Sequence, residues 1–389
     1  MAADGPRSRT TLALETGFNK TTVSSLVSEL IASRWFVETG EDEEPGSVGR
    51  PARTVRLNGD AIVAVGLEVN VDYLAACVTD LDGRVRHFTR VEADNAASAA
   101  APVLARLAQL ARRATAAGQA EGARVIGAAV GLPGLVDLTG RTLVVAPNLR
   151  WRDLLVADDL ERRLGQPGLG VRIDNEANLA ALAEHWEGAA QDLDTFVCVS
   201  GDVGIGAGVL VDGELFRGTH GFGGELGHIM VDPDGVPCAC GSRGCLETVA
   251  GQAAVLRRAA IASDGPRPGL AAHELLARAQ ANDERTLASL AEAGRALGVG
   301  LAAAVNLLDP QAVLLGGYLT PLAPWLTGHM RSEFFAPCAG RRSQRLRDPP
   351  GAARRRRRGA RRRRQRATGS ARGPDAGRSA SCRPLIEPD

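Results

Sequence analysis

The sequence predicts an α/β protein that carries a small helical unit with two strands at its N-terminus. Two observations lead there. Between Ile62 and about Pro337, short apolar strand patterns alternate with longer helical ones, the order that builds an α/β core. Before Asn58, two helical stretches are broken by Gly17-Phe18-Asn19 and followed by two short strand patterns. With 389 residues the chain has room for two or three domains, because a single core rarely grows past about 250 to 300 residues.

In the first zone, Thr10 to Thr16 is helical in pattern, and Thr21 to Arg34 resumes with Val23, Leu26, Val27, Leu30 and Ile31 at i, i+3, i+4 spacing. Asn19 is placed to cap the second helix. Lys20, Thr21, Thr22, Ser24 and Ser25 then fall on its first turns, away from the apolar stripe. Trp35 to Glu38 and Thr54 to Leu57 read as strands around an acidic loop with Pro and Gly, so residues 1–58 make a winged helix-turn-helix domain. The second helix of such a unit enters the major groove, where Asn, Lys, Thr and Ser bond base edges and phosphates, so operator DNA is the expected partner. A helical appendage used for protein contacts is the alternative. An earlier helix usually packs beneath such a pair, so the start of the domain is expected upstream and Leu12, Leu14 and Phe18 are expected to be poorly covered.

The body, residues 59–338, has strand patterns at Ile62–Leu67, Leu74–Thr79, Val125–Val130, Phe196–Val199 and Val313–Leu315. Helices are expected over Ala96–Ala117, Glu176–Gly188, Ala250–Ala262, Ala271–Ala281 and Asp283–Leu308. Residues 339–389 form an arginine-rich tail with unbroken runs at Arg354–Arg358 and Arg361–Arg364, and such blocks repel themselves and stay disordered. Residues 341–389 hold 17 Arg against four acids, which leaves 29 basic and 41 acidic side chains before them, so the net charge of +1 hides an acidic body. Lys20 is the only lysine, a bias of GC-rich coding more than of physics.

No charged stretch followed by an apolar segment opens the chain, and no run of about 18 apolar residues occurs, so a cytoplasmic protein with no membrane partner is expected. The seven cysteines do not space like a disulfide framework. Three of them cluster. Gly223-Gly224-Glu225-Leu226-Gly227-His228 is followed by Cys238, Cys240 and Cys245, with Gly241 and Gly244 allowing the chain to fold back. Three thiolates and one imidazole satisfy tetrahedral zinc with no open position, so His228, Cys238, Cys240 and Cys245 are predicted to hold a structural zinc. Unrelated buried thiols are the alternative.

These residues match the signature of the ROK family of bacterial sugar kinases and sugar-responsive repressors. Gly131-Leu132-Pro133-Gly134, Ala146-Pro147-Asn148-Leu149-Arg150-Trp151, Asp174-Asn175-Glu176-Ala177-Asn178 and the Gly316-Gly317 pair match it too, and the resemblance covers roughly residues 8–336. It implies an actin-like, two-lobed sugar kinase/ROK fold behind the winged domain. It also implies that Asn175, Glu225, His228 and Glu247 contact sugar hydroxyls, with Asn148 nearby and Glu176 at the base position. A carboxylate can accept from two adjacent hydroxyls, which suits a polyol. Solvated loop charges are the alternative.

Two features separate this chain from the kinases it resembles. After the first strand it reads Gly66-Leu67-Glu68-Val69-Asn70-Val71-Asp72, where such kinases carry Asp-x-Gly-Gly-Thr. Val69 and Val71 keep a phosphate from the backbone, and Glu68 repels it. At the base position Glu176 replaces an aspartate, one methylene longer. The second loop, Gly201 to Gly208, stays glycine-rich, but Asp202 and Val203 stand at the kinase Thr-Gly step, which favours a structural turn between strands. The expected protein is therefore no enzyme. It resembles the repressor branch, which includes xylose- and N-acetylglucosamine-responsive regulators, and a sugar kinase with a degenerate phosphate loop is the alternative.

In ROK repressors a Gly-Arg-Pro wing reaches the minor groove, which implies that role for Arg50, with Pro51 and Arg53 beside it. A sugar or sugar phosphate would act through its different affinity for two states of a homodimer or homotetramer. The family pattern stops after Glu333-Phe334-Phe335-Ala336-Pro337. The Arg, Pro, Gly and Ala beyond it fit a shifted reading frame in a GC-rich gene, and a basic arm on the DNA backbone is the alternative.

Overall fold

The computed structural model describes residues 5–41, 53–119, 122–166, 169–262, 268–335 and 383–384. Arg50, Pro51 and both arginine runs of the tail lie outside the described residues. By its own contacts the chain divides into two compact units, residues 1–179 with 217–223, and residues 180–216 with 224–389.

The first unit begins with β1 (Arg7–Ser8), α1 (Arg9–Thr16), α2 (Lys20–Ala32), β2 (Phe36–Glu41) and β3 (Arg53–Leu57). The strands pair in the order β1-β3-β2, all antiparallel. Each helix has a side-chain cap: Ser8 Oγ accepts from Thr11 N–H at 3.0 Å, and Asn19 Oδ1 from Thr22 N–H at 2.8 Å. Val23 and Val27 of α2 meet Ala13 and Val55 in a small core, with Leu12 partly buried against it. Leu14 and Phe18 are 81% and 57% exposed.

The larger part of this unit is β4 (Ile62–Val69), β5 (Tyr73–Asp80), β6 (Val85–Glu92), α3 (Ala100–Gly118), β7 (Arg124–Leu132), β8 (Leu135–Val136), β9 (Leu143–Ala146), β10 (Trp151–Leu154), α4 (Val156–Leu164) and β11 (Val171–Asn175). Five strands order as β11-β7-β4-β5-β6, with β4, β7 and β11 mutually parallel and the hairpins antiparallel. Val63, Val65, Leu67 and Val69 alternate onto the same core as Leu104, Leu107 and Ala111 of α3 and Leu160 of α4. That single core organises the sheet. β6 is absent from the sequence reading because its apolar residues, Val85, Phe88 and Val91, are exposed on an edge and give no core signal. β4 also runs further than Leu67: Gly66 to Val69 are strand, and only Asn70 to Asp72 turn.

The second unit takes most of α5 (Glu176–Trp186), then β12 (Phe196–Gly201), β13 (Ile205–Val211), β14 (Glu214–Leu215), α6 (Leu246–Ala250), α7 (Gln252–Arg258), α8 (Pro268–Gln280), α9 (Glu284–Leu308), β15 (Ala312–Gly317), α10 (Leu319–Phe335) and β16 (Arg383–Pro384). Its sheet order is β14-β13-β12-β15-β16, with β12 and β15 parallel. Of the helix expected over Ala250–Ala262 only Gln252–Arg258 forms α7, and Ala250 instead ends α6, because the backbone turns extended at Gly251. α9 starts on Asp283, whose carboxylate accepts from Thr286 N–H at 2.9 Å. A Cβ at Gly294 or Gly298 would meet the Leu326 or Met330 carbonyl oxygen at 2.9 and 2.6 Å, so this glycine pair lets α10 lie close. α9 is, among the described residues, the one helix long and apolar enough to cross a membrane, yet half of its most apolar stretch is buried inside the unit.

Candidate functional site

In the second unit, Leu226–His228 forms a single 3-10 turn after Gly224 and Glu225. A Cβ on Gly227 would run into the Ile205 carbonyl oxygen, so glycine there lets the turn lie against β13. The following loop doubles back on itself: Val231 N–H donates to Gly244 O at 2.9 Å, Cys238 N–H to Ser242 O at 2.8 Å, and Leu246 N–H to Ile229 O at 2.8 Å. Cys245 therefore lands at the N-cap of α6, and Glu247 in its first turn.

This path gathers His228, Cys238, Cys240 and Cys245, with all four ligand atoms within 4.8 Å of one another. His228 Nδ1 lies 3.7 Å from Cys238 Sγ, and Cys240 Sγ lies 3.7 Å from Cys245 Sγ. Sulfurs held at 2.3 Å from a tetrahedral zinc stand about 3.8 Å apart, whereas a disulfide would bring them to about 2.05 Å. The donors thus fit the edges of a metal tetrahedron. Without a cation, burial raises Cys238 and pushes Cys245 up to about 12, with Cys238 and Cys240 adding to the rise at Cys245, whereas Cys240 is held below its ordinary value against burial by the Ser242 amide and the neighbouring thiols.

The same imidazole turns Nε2 toward Glu225 Oε2 at 3.9 Å. Burial raises the Glu225 carboxyl above its ordinary range; His228 opposes the rise and Glu247 adds to it. Glu247 is seated by the glycine-rich loop: Ile205 N–H donates to its Oε2 at 3.3 Å, and a Cβ on Gly204 would collide with that carboxylate. The loop between β12 and β13 is therefore a tight turn that holds a carboxylate, and its Ile205 amide is already occupied.

In the first unit, Asn148 is half-buried in the turn Pro147–Leu149 between β9 and β10. Asn175 closes β11, donating Nδ2 to Gly134 O at 3.1 Å and accepting Ala177 N–H at 2.8 Å. Glu176 follows as the first residue of α5 and is half-buried. Sequence reasoning passed over Asp174 and Arg217. Asp174 is buried, accepts from Asn175 N–H and Asn178 Nδ2, and takes both arms of Arg217 at 3.0 and 2.5 Å. The position of Asp174 inside the motif was the available signal; nothing in the sequence pairs it with Arg217.

At the end of β4 the β4–β5 hairpin is closed on itself. Asn70 N–H donates to Tyr73 O at 3.0 Å and Val71 N–H to Asn70 Oδ1 at 2.7 Å. Buried Asn95 donates Nδ2 to Asn70 O and Tyr73 O at 2.7 and 2.9 Å. Glu68 accepts from the Tyr73 hydroxyl, over whose ring Arg90 lies 3.7 Å from the centroid.

At the winged end, Lys20, Thr21, Thr22 and Ser25 are exposed on the first two turns of α2, behind the capping Asn19. Ser24 is half-buried and its hydroxyl receives Arg9 Nη1 at 3.0 Å. Arg53 is exposed and pairs with Glu38 at 3.1 Å.

The ROK family pattern matches residues 64–347. The chain belongs to the ROK family. This ROK protein is 34% identical over 334 residues to the xylose repressor of Bacillus subtilis, covering 85% of this chain and 83% of the relative. Among solved structures it is similar to a ROK family transcriptional regulator, a homolog of the E. coli MLC protein, with TM-score 0.70 and 28% identity over 85% of this chain and 84% of that one. It is also similar to a ROK family glucokinase from Streptomyces griseus, solved with glucose and AMPPNP, with TM-score 0.60 and 30% identity over 70% of this chain and 88% of that one. The mixed α/β, sugar-kinase-like fold is that of the family.

Proposed function

We propose that this chain is a sugar-responsive transcriptional repressor of carbohydrate metabolism, acting in the cytoplasm as a homodimer or homotetramer on operator DNA. The observation that carries the reading is the extent of the similarity, which spans more of the chain for the repressors than for the glucokinase. Residues 1–58 are the DNA-binding domain, with Asn19, Lys20, Thr21, Thr22 and Ser25 facing the major groove and Arg50, Pro51 and Arg53 on the wing. Ser24 serves the same helix through Arg9. Each unit supplies polar groups suited to sugar hydroxyls: Asn148, Asn175 and Glu176 in the first, Glu225, His228 and Glu247 in the second.

His228, Cys238, Cys240 and Cys245 would hold zinc, whose chemistry here is structural: four protein donors leave it no open position. The metal would tie His228 and the α6 end bearing Glu247 into one piece, so its loss would loosen sugar recognition. Phosphoryl transfer is disfavoured because the Asn70 and Val71 amides are engaged within their own hairpin and Ile205 N–H is engaged by Glu247.

The test is fluorescence anisotropy of the full chain on duplex DNA selected from a random-sequence pool, titrated with xylose, glucose and N-acetylglucosamine, beside a coupled ATP assay on the same sugars. Sugar-dependent release of DNA without turnover supports the repressor. Turnover well above background without DNA binding would establish the kinase instead.

A further inference from the structure

The end of α2 is built in an unusual way. Arg34 N–H donates to Ile31 O at 3.0 Å and Trp35 N–H to Leu30 O at 2.8 Å, the paired bonds that close a helix through a left-handed residue. That residue is Arg34, at φ 65, where glycine is the usual occupant. A side chain kept in a conformation that penalises Cβ points to a use for the side chain. Arg34 Nη1 reaches Gly122 O in the α3–β7 connection at 2.9 Å.

The next residue extends the contact. The Arg124 guanidinium lies 5.6 Å from the Trp35 ring centroid, and Trp35 O accepts from Asn58 N–H at 2.9 Å. Arg124 N–H in turn donates to Ala61 O at 2.8 Å, and Ala61 N–H to Asn58 O at 3.2 Å. These bonds close a ring that joins the end of the second winged helix to the first residue of β7. At the other end of β7, Gly134 N–H donates to Leu132 O, and Gly134 O accepts from Asn175. A nine-residue strand thus spans about 26 Å between the ring and a residue assigned to the sugar.

We infer that Arg34 and Trp35 are positioning residues that couple the DNA-facing helix to β7, and that a shift at Gly134 reaches α2 through this ring. The coupling to sugar rests on the repressor reading; the ring itself does not. Central strands shift as units in a packed sheet, so β7 is suited to carry a displacement from one end to the other. Neither residue needs to touch DNA or sugar for this.

Arg34→Gly removes the guanidinium while keeping the backbone conformation, and Arg124→Ala removes the contact on Trp35. Native chain and the double variant would be compared in two assays. The first is DNA anisotropy on pool-selected duplex with and without xylose, glucose and N-acetylglucosamine. In the variant, sugar-free affinity should stay within about threefold of native, while the native sugar response, about 5- to 150-fold for couplings of ordinary size, falls toward 1. The second is amide hydrogen exchange without DNA or sugar, where residues 30–36 and 124–126 should both exchange faster in the variant. An unchanged sugar response, or unchanged exchange at both segments, would overturn the inference. If the native chain binds no DNA or answers no sugar, the repressor reading fails, and the exchange comparison still decides whether the ring couples α2 to β7.

Discussion

Arg217 lays both guanidinium arms on the buried carboxylate of Asp174, 43 residues earlier in the chain. The pair fastens the start of the 217–223 segment to the end of β11, one residue before Asn175. It is a two-pronged, partly solvent-facing bond, so geometry matters more than net charge.

Removing one partner strands the other. Arg217→Ala should lower stability by about 2 kcal/mol in urea unfolding, because among the described residues Asp174 then keeps the Asn175 amide and the Asn178 side chain alone. The double variant with Asp174→Ala should cost clearly less than the two single costs added. Strict additivity would mean that the two side chains do not work as a pair.

Gly227→Ala should be among the costliest small changes in the second unit. Its methyl group would enter the Ile205 carbonyl, backbone against backbone, at a cost of about 2 to 3 kcal/mol of overpacking. Differential scanning calorimetry reads the loss, and a native-like Tm would show that the turn can move aside.

Cys245→Ser should release the metal, measured as bound zinc per chain by atomic emission. Sugar affinity should fall with it by about 10- to 100-fold, since α6, which carries Glu247, starts from this cysteine. Full zinc content in the variant would remove Cys245 from the ligand set.

The pH dependence of stability should change sign with metal. In chelated protein the Cys245 thiol sits at about 12, above its unfolded value, so its stabilising contribution is present below about 9 and fades as pH rises through the folded value. In metal-loaded protein the thiolates are held by the cation, so stability fades as pH falls and protons compete for the ligands. With chelator, urea midpoints should fall as pH rises from about 9 to about 11; without chelator, they should fall as pH drops from about 8 to about 6. Parallel slopes would mean that the four residues hold no metal.

Lys20→Ala should weaken DNA binding about equally across sequences and lower the salt slope of log affinity by about 1, as expected for a phosphate contact. An unchanged slope would place Lys20 away from the backbone.

The grouping of His228 with three cysteines and the two N-terminal helices could be read before any coordinates because each is local. Four donors within 18 residues, or an apolar stripe behind a capping Asn, need no distant partner to be recognised. What the sequence hid depends on distant parts. The reach of Arg217 to Asp174 and of Glu247 to Ile205 crosses dozens of residues. β6 lacks a buried face, and α10 carries Pro324 inside and a blurred apolar period, so neither announces itself. Glu68 and Val69 read as lying beyond the strand because a charge ends the apolar run, yet pairing of both with β5 and of Glu68 with β7 keeps them in it.

The path of the chain has a consequence for the order of folding. The first unit is not continuous: it lacks residues 217–223 until the chain has passed through β12, β13 and β14 of the other. On the ribosome, where domains tend to fold as they emerge, the winged helices can close early, but Asp174 must wait for Arg217. Until Arg217 emerges Asp174 has its local donors from Asn175 and Asn178 without the two-armed clasp, and a pause in translation just before residue 217 would prolong that stage.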